Sequence, residues 1–191
     1  LQAAQLLIDT LEKIIPLPGM ITYYFLTLTI VPLLGSFITE PAAMTLAAII
    51  LRDRYFSKKI PETMKYLTIA ILFVNVSIGG VLTSYAAPPV LMVASKWGWG
   101  LDFMLATFGW KAALAIFINA LIASWIFRKI LLGMDDLKDD YEVGRVPPLV
   151  MLIHLTTLVL VVIFSHHPFV FVGFFLFFLG FTEAYHRYQS P

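Results

Sequence analysis

The chain has 191 residues, of which 60% are hydrophobic and only 13% are charged, against about 25% charged in an average soluble domain. This is the composition of an integral membrane protein, and the net charge of +1 offers neither the basic footprint of a nucleic-acid binder nor an acidic surface for a basic partner. Cysteine is absent, which excludes disulfides, thiolate metal sites and cysteine nucleophiles together.

The first segment, residues 1–19, carries apolar side chains at Leu6, Leu7, Leu11, Ile14 and Ile15, with Asp9, Glu12 and Lys13 on the other side. That spacing predicts an interfacial helix, ended by Pro16 and Pro18. The opening at Leu1, without the features of a signal peptide, and the stop at Pro191 directly after an apolar segment are read as those of a piece of a longer chain.

Met20 to Leu51 is an apolar run that would be about 48 Å long as one helix, while the hydrocarbon core is about 30 Å thick. It is interrupted by Gly35-Ser36-Phe37-Ile38-Thr39-Glu40-Pro41. Residues 20–56 are therefore expected to form a re-entrant hairpin of two half-length helices, Ile21 to Leu34 and Ala42 to Arg54. Two short crossings or one kinked helix are the alternatives. Pro41 suits the first turn of the second helix, with Thr39 or Glu40 as its cap. Glu40 is the one acidic residue between Lys13 and Asp53, and a carboxylate at membrane depth marks ion or proton paths when it is not simply a cap. Burial disfavours its charged form and a bound cation favours it, which is the coupling an exchanger needs.

Arg52, Arg54, Lys58, Lys59 and Lys65 then mark a cytoplasmic loop. Residues 57–100 are expected to be a broken transmembrane helix, with halves at Thr63 to Ile78 and Pro89 to Ser95. Between them lies Asn75-Val-Ser-Ile-Gly-Gly-Val-Leu-Thr-Ser-Tyr-Ala-Ala-Pro-Pro89, poor helix material because glycine costs about 1 kcal/mol and proline about 3 kcal/mol in a helix interior. Broken backbone in a bilayer is tolerated where protein buries it or where it lines a wet cavity, and in transporters it surrounds an ion or substrate. A kink that only aids packing is the plainer reading.

Trp97 and Trp99 belong at the interface, and 101–132 reads as a transmembrane helix returning to Arg128 and Lys129. Asp102, Trp110 and Lys111 read as interfacial anchors, and Asn119 as an interhelical hydrogen-bonding residue or a cavity wall, with helix packing the plainer reading. Residues 133–146, with Asp135, Asp136, Asp139, Asp140 and Glu142, form a cytoplasmic connector that lacks the spacing of a calcium loop. Residues 147–191 supply two more transmembrane helices, Leu149 to Phe164 and Phe169 to Tyr185. His154 reads as a packed residue, and His166 and His167 have no further ligands with which to hold a metal. With this topology eleven of the thirteen Lys and Arg residues face the cytoplasm, all but Lys96 and Lys111.

Two motifs carry a resemblance. Phe37-Ile38-Thr39-Glu40-Pro41-Ala42-Ala43, followed some forty residues later by Gly79-Gly80-Val81-Leu82-Thr83-Ser84-Tyr85-Ala86-Ala87-Pro88-Pro89, resembles the ion transporter superfamily of sodium/proton antiporters, arsenite permeases and citrate and dicarboxylate carriers. Within it the chain is most similar to bacterial proteins described as sodium/proton antiporters. The resemblance implies an all-α polytopic inverted-repeat transporter, with a re-entrant hairpin and a discontinuous helix in each repeat, working as a homodimer by an elevator-type movement. Residues 147–191 would begin the second repeat, and the remaining half of the transporter would be a partner. Carried over by position, Thr39 and Glu40 occupy the tip and Gly79, Gly80, Thr83 and Ser84 the loop of a cation and proton site, with Asn75 and Ser77 just before it. Thr39, Glu40, Thr83 and Ser84 would be the sodium ligands.

Relatives often have asparagine at the position of Glu40, and permease-like members carry an acidic residue at that of Ala87 and asparagine at that of Val90. A titratable Glu40 favours proton exchange, and the apolar Ala87 and Val90 disfavour anion or arsenite carriage. The sequence thus predicts a secondary transporter exchanging sodium for protons, multi-pass in the inner (cytoplasmic) membrane. It would be no enzyme, with no cofactor beyond its transported ions and no partner among nucleic acids. The alternatives are a sodium-coupled anion transporter of the same superfamily and a non-transporting structural membrane subunit.

Overall fold

The computed structural model describes residues 2–134, 147–164 and 168–185, and these are helical with no strand among them. Two units are distinct, 3–139 and 140–191.

In the first unit α1, Gln2–Ile14, presents the fully buried Ile8 to the core. Arg54 stands over the Tyr23 ring at 3.7 Å and lies 3.9 Å from Asp9 and 3.8 Å from Glu12, so the base of α1 is also held by charge. After Pro16 and Pro18 the chain enters α2, Gly19–Ile38, and then α3, Glu40–Leu51, which continues through a π-helical turn, Arg52–Phe56. The two arms fold back on each other. Close to the turn, a β-carbon at Gly35 would lie 3.1 Å from that of Ala43. At the base, the buried Tyr55 hydroxyl donates to the Met20 carbonyl at 2.8 Å.

The hairpin differs from its sequence expectation in two respects. α2 is not half-length, because the seven-residue interruption is helical except at Thr39, whereas α3, with 12 residues, is close to the expected half-length arm. Gly35 and Ser36 remain in α2, where neighbouring helices cover them, and α2 alone has 20 residues, enough to cross a bilayer. The whole reversal falls on Thr39, at φ 82° and ψ 151°. Nor do the side chains cap as expected: Thr39 is at the cap position without a side-chain hydrogen bond there, and its carbonyl accepts from the Ala43 amide at 3.0 Å. Pro41 does fall in the first turn of α3.

From Pro61 the chain rises as α4, Glu62–Gly79, parallel to α2, with Thr68 beside Tyr24, Asn75 beside Leu28 and Gly79 beside Pro32. The helix then tightens into a 3-10 turn, Gly80–Leu82, and is lost at Thr83, which is extended at φ −119° and ψ 159°. Helix resumes as α5, Pro88–Trp97, with Pro88 and Pro89 in its first turn and Gly98 left-handed at its end. The break expected between Ile78 and Pro89 is therefore present.

The next helical stretch is α6, Leu101–Met104, a π-helical turn Leu105–Gly109, and α7, Trp110–Ile126. It ends at Phe127 instead of running to residue 132, and α8, Arg128–Met134, buries Leu131 and Met134 in the same core. Together α2, α4 and α7 enclose an interior of Tyr24, Leu28, Val31, Leu72, Val76 and Ala120. Among the described residues three helical stretches, Gly19–Ile38, Glu62–Leu82 and Leu101–Ile126, are long and apolar enough to cross a membrane.

The second unit contains α9, Pro148–Ile163, and α10, Pro168–Ala184, at 16 and 17 residues. His154 is a packed residue, its Nδ1 donating to the Val150 carbonyl at 2.8 Å and its ring meeting Phe178 and Phe181 edge-on at 5.0 and 5.8 Å. His166, His167 and the acidic connector through Arg145 lie outside the described residues.

Candidate functional site

A helix C-terminus leaves its last carbonyls without amide partners, and here two such termini meet. α2 ends at Ile38 and α4 at Gly79, and each supplies the other with a donor. The Ser36 hydroxyl of α2 donates to the Gly79 carbonyl, and the Thr83 hydroxyl, just beyond α4, donates to the Ser36 carbonyl at 2.8 Å. Ser36, Gly79 and Thr83 are all buried. Both hydroxyls act as donors in these bonds, so their oxygen lone pairs stay free to accept from, or ligate, something else.

The approach depends on the two glycines. A β-carbon at Gly79 would stand 2.7 Å from the Pro32 carbonyl carbon and nearer still to its oxygen, so backbone lies against backbone. A β-carbon at Gly80 would stand 2.9 Å from Cγ of Glu40 and 3.0 Å from Cβ of Ala87, with the Glu40 carboxylate closer again. The carboxylate fills the space that a side chain at position 80 would take. Glu40 is also the first residue of α3, where the partial positive charge of a helix N-terminus favours an anion.

The sequence-predicted residues therefore divide. Glu40, Gly79, Gly80 and Thr83 come together at the tip and the break, and Ser84 follows Thr83 in the chain, half-buried. Thr39 makes the turn but is exposed. Ser77 is exposed as well, two residues from both Asn75 and Gly79 and so on the far face of α4. Asn75 is fully buried one turn below the glycines, where its Nδ2 donates to the Leu28 carbonyl at 2.9 Å and its Oδ1 accepts from Nδ2 of Asn119 at 3.0 Å. The interhelical role expected of Asn119 is thereby met. Sequence reasoning passed over Ser36. Its signal was its place in the polar interruption that leads to Glu40, one turn after Pro32 on the same face of α2.

The side chains and helix-end carbonyls that meet at this junction offer oxygen atoms: one carboxylate, two hydroxyls and the carbonyls of two helix ends. Such a set suits a hard cation such as sodium and not a soft metal, and no cluster of three His, Cys, Asp or Glu side chains occurs among the described residues. The profile of a family described as "Putative Na+/H+ antiporter" matches residues 1–191. The chain belongs to this antiporter family. Membership, with the three long apolar helices, makes it a multi-pass membrane protein of the transporter class rather than an enzyme. No curated protein and no solved structure matches the chain.

Proposed function

We propose that the protein exchanges sodium for protons, with Glu40 as the group that carries the proton and faces the cation. The observation that carries this reading is the Glu40 carboxylate lodged against Gly80, beside the converging C-termini of α2 and α4. Both termini bring partial negative charge to one place, and Thr83 and Ser36 add hydroxyl oxygens. Thr39 and Ser84 complete the proposed ligand set from the two rims. A cation and a proton competing for one carboxylate is the minimal form of coupled exchange, since each disfavours the other's binding.

In the same reading the hairpin is re-entrant and the protein sits in the inner membrane, as one copy of a homodimer. The base of the hairpin, where Met20 meets Tyr55, lies next to Arg52, Arg54, Lys58 and Lys59, and a basic base supports entry from the cytoplasmic side. Anion cotransport is less favoured, because the side-chain amide of Asn75, one turn below the glycines, is already engaged on both its atoms.

The test is exchange in liposomes carrying the full-length protein and a preset pH gradient. Sodium addition should collapse the gradient, and Glu40→Gln, which keeps the shape but removes the titratable charge, should abolish the effect. Exchange retained by Glu40→Gln would remove this carboxylate from the mechanism.

A further inference from the structure

We propose that Asn75 serves the cation site as a positioning residue and not as a ligand: with Pro32, Leu28 and Asn119 it forms a strut that fixes how far along α2 the break in α4 comes to lie. This rests on the reading of the tip and break as the cation site.

The argument starts with Pro32, which is inside α2. In a regular helix the amide of residue 32 would donate to the carbonyl of residue 28, but proline has no N–H. The Leu28 carbonyl is left without its helical partner in a buried position. Nδ2 of Asn75, 47 residues away in sequence, donates to that carbonyl at 2.9 Å. Asn119, from α7, donates in turn to Oδ1 of Asn75 at 3.0 Å, which holds the amide with its NH2 group toward α2. One proline thus creates a single vacant acceptor on a long apolar helix, and one asparagine on the neighbouring helix fits it. Leucine and valine side chains can pack in several registers, whereas a hydrogen bond to one carbonyl selects one register.

The strut is well placed to act on the site. Along α2 Leu28, Pro32 and Ser36 follow at four-residue intervals on one face, Glu40 opens α3 just past the turn, and on α4 Gly79 follows Asn75 by one turn on the same face. A slide or rotation of α4 at Asn75 would therefore be carried directly to the Gly79–Pro32 approach and the Gly80–Glu40 fit, neither of which has slack.

The same proline supplies the test. Asn75→Ala should orphan the Leu28 carbonyl, and Pro32→Ala should restore an amide that satisfies it from within α2. In full-length protein reconstituted in liposomes, Asn75→Ala should raise the apparent KM for sodium about tenfold, the order expected for one buried acceptor left unpaired. Pro32→Ala in that background should bring the KM back to within about twofold of the wild type. The melting temperature in detergent, without sodium, should follow the same pattern of loss and recovery. Melting restored while the KM stays raised would make Asn75 a ligand and overturn the proposal. Melting that Pro32→Ala does not restore would refute the strut itself. If the wild type exchanges no sodium, the functional reading fails on its own and the melting cycle still decides the strut. Should Asn75→Ala fail to fold, folding recovered by Pro32→Ala supports the strut and folding not recovered refutes it.

Discussion

Gly79 and Gly80 are neighbours in sequence, yet an added methyl group should do different things at each. At Gly79 the new carbon would meet main-chain atoms of Pro32, 2.7 Å from the carbonyl carbon. Ordinary contact begins near 3.4 Å, so α2 and α4 must part by at least about 0.7 Å, since backbone cannot rotate aside. Overpacking of this kind costs about 1–3 kcal/mol, and each kcal/mol lowers Tm by about 2–4 °C in a chain of this size. Gly79→Ala should therefore melt several degrees below the wild type, and the Ser36 and Thr83 hydrogen bonds across the junction should weaken with it. At Gly80 the new carbon would meet the Glu40 side chain, which can swing away, and Cβ of Ala87 at 3.0 Å, which must give by a few tenths of an ångström. Gly80→Ala should lose well under half as much Tm as Gly79→Ala. What it should lose is the stabilisation that sodium, compared with choline, gives a protein that binds it in the folded state. Tryptophan-fluorescence melts of both variants in detergent, with each salt, measure all four quantities. Gly79→Ala melting like the wild type would refute the backbone contact, and Gly80→Ala stabilised by sodium as fully as the wild type would refute the placing of Glu40 at the cation.

The turn and the lower interior give two further predictions. Thr39 is β-branched and holds φ 82° with ψ 151°, a region natural to glycine that costs other residues about 1–3 kcal/mol. Thr39→Gly should raise Tm by a few degrees while altering exchange, as expected if strain at the tip is part of its work, and an unchanged or lower Tm would contradict the strain. The Tyr24 hydroxyl pairs with that of Thr68 at 2.6 Å in a buried position, so Tyr24→Phe and Thr68→Val should each cost about 1 kcal/mol. The double variant should cost clearly less than their sum in a thermal-melt cycle, and strict additivity would mean that the pair contributes nothing jointly.

Much of the molecule is legible in its residues because the forces that end a helix are local. Gly79, Gly80, Pro88 and Pro89 weaken a continuous helix locally, through lost amides and backbone freedom, and the break, at Thr83 to Ala87, lies within the stretch expected between Ile78 and Pro89. The same reasoning overstated the interruption at Gly35 to Pro41. Gly35 and Ser36 are weak helix formers alone, but buried against α3 and α4 they stay helical, and only Thr39 leaves the helix. Packing outweighed propensity there, as it commonly does when a helix is covered on several sides.

The site divides along the same line. Composition and the lone acid at position 40 determined that this is a membrane protein with a titratable group at a chain reversal, because both depend on which residues are present and on their immediate neighbours. That Ser36 bonds Gly79, that Thr83 bonds Ser36, and that Asn75 answers the carbonyl freed by Pro32 was decided only when α2 and α4 packed in parallel. These pairs are 43 to 47 residues apart, and no pattern within either helix specifies which carbonyl of the other it will face. A carbonyl without an amide must find a donor when it is buried, and which donor it finds is settled by the register in which the helices meet.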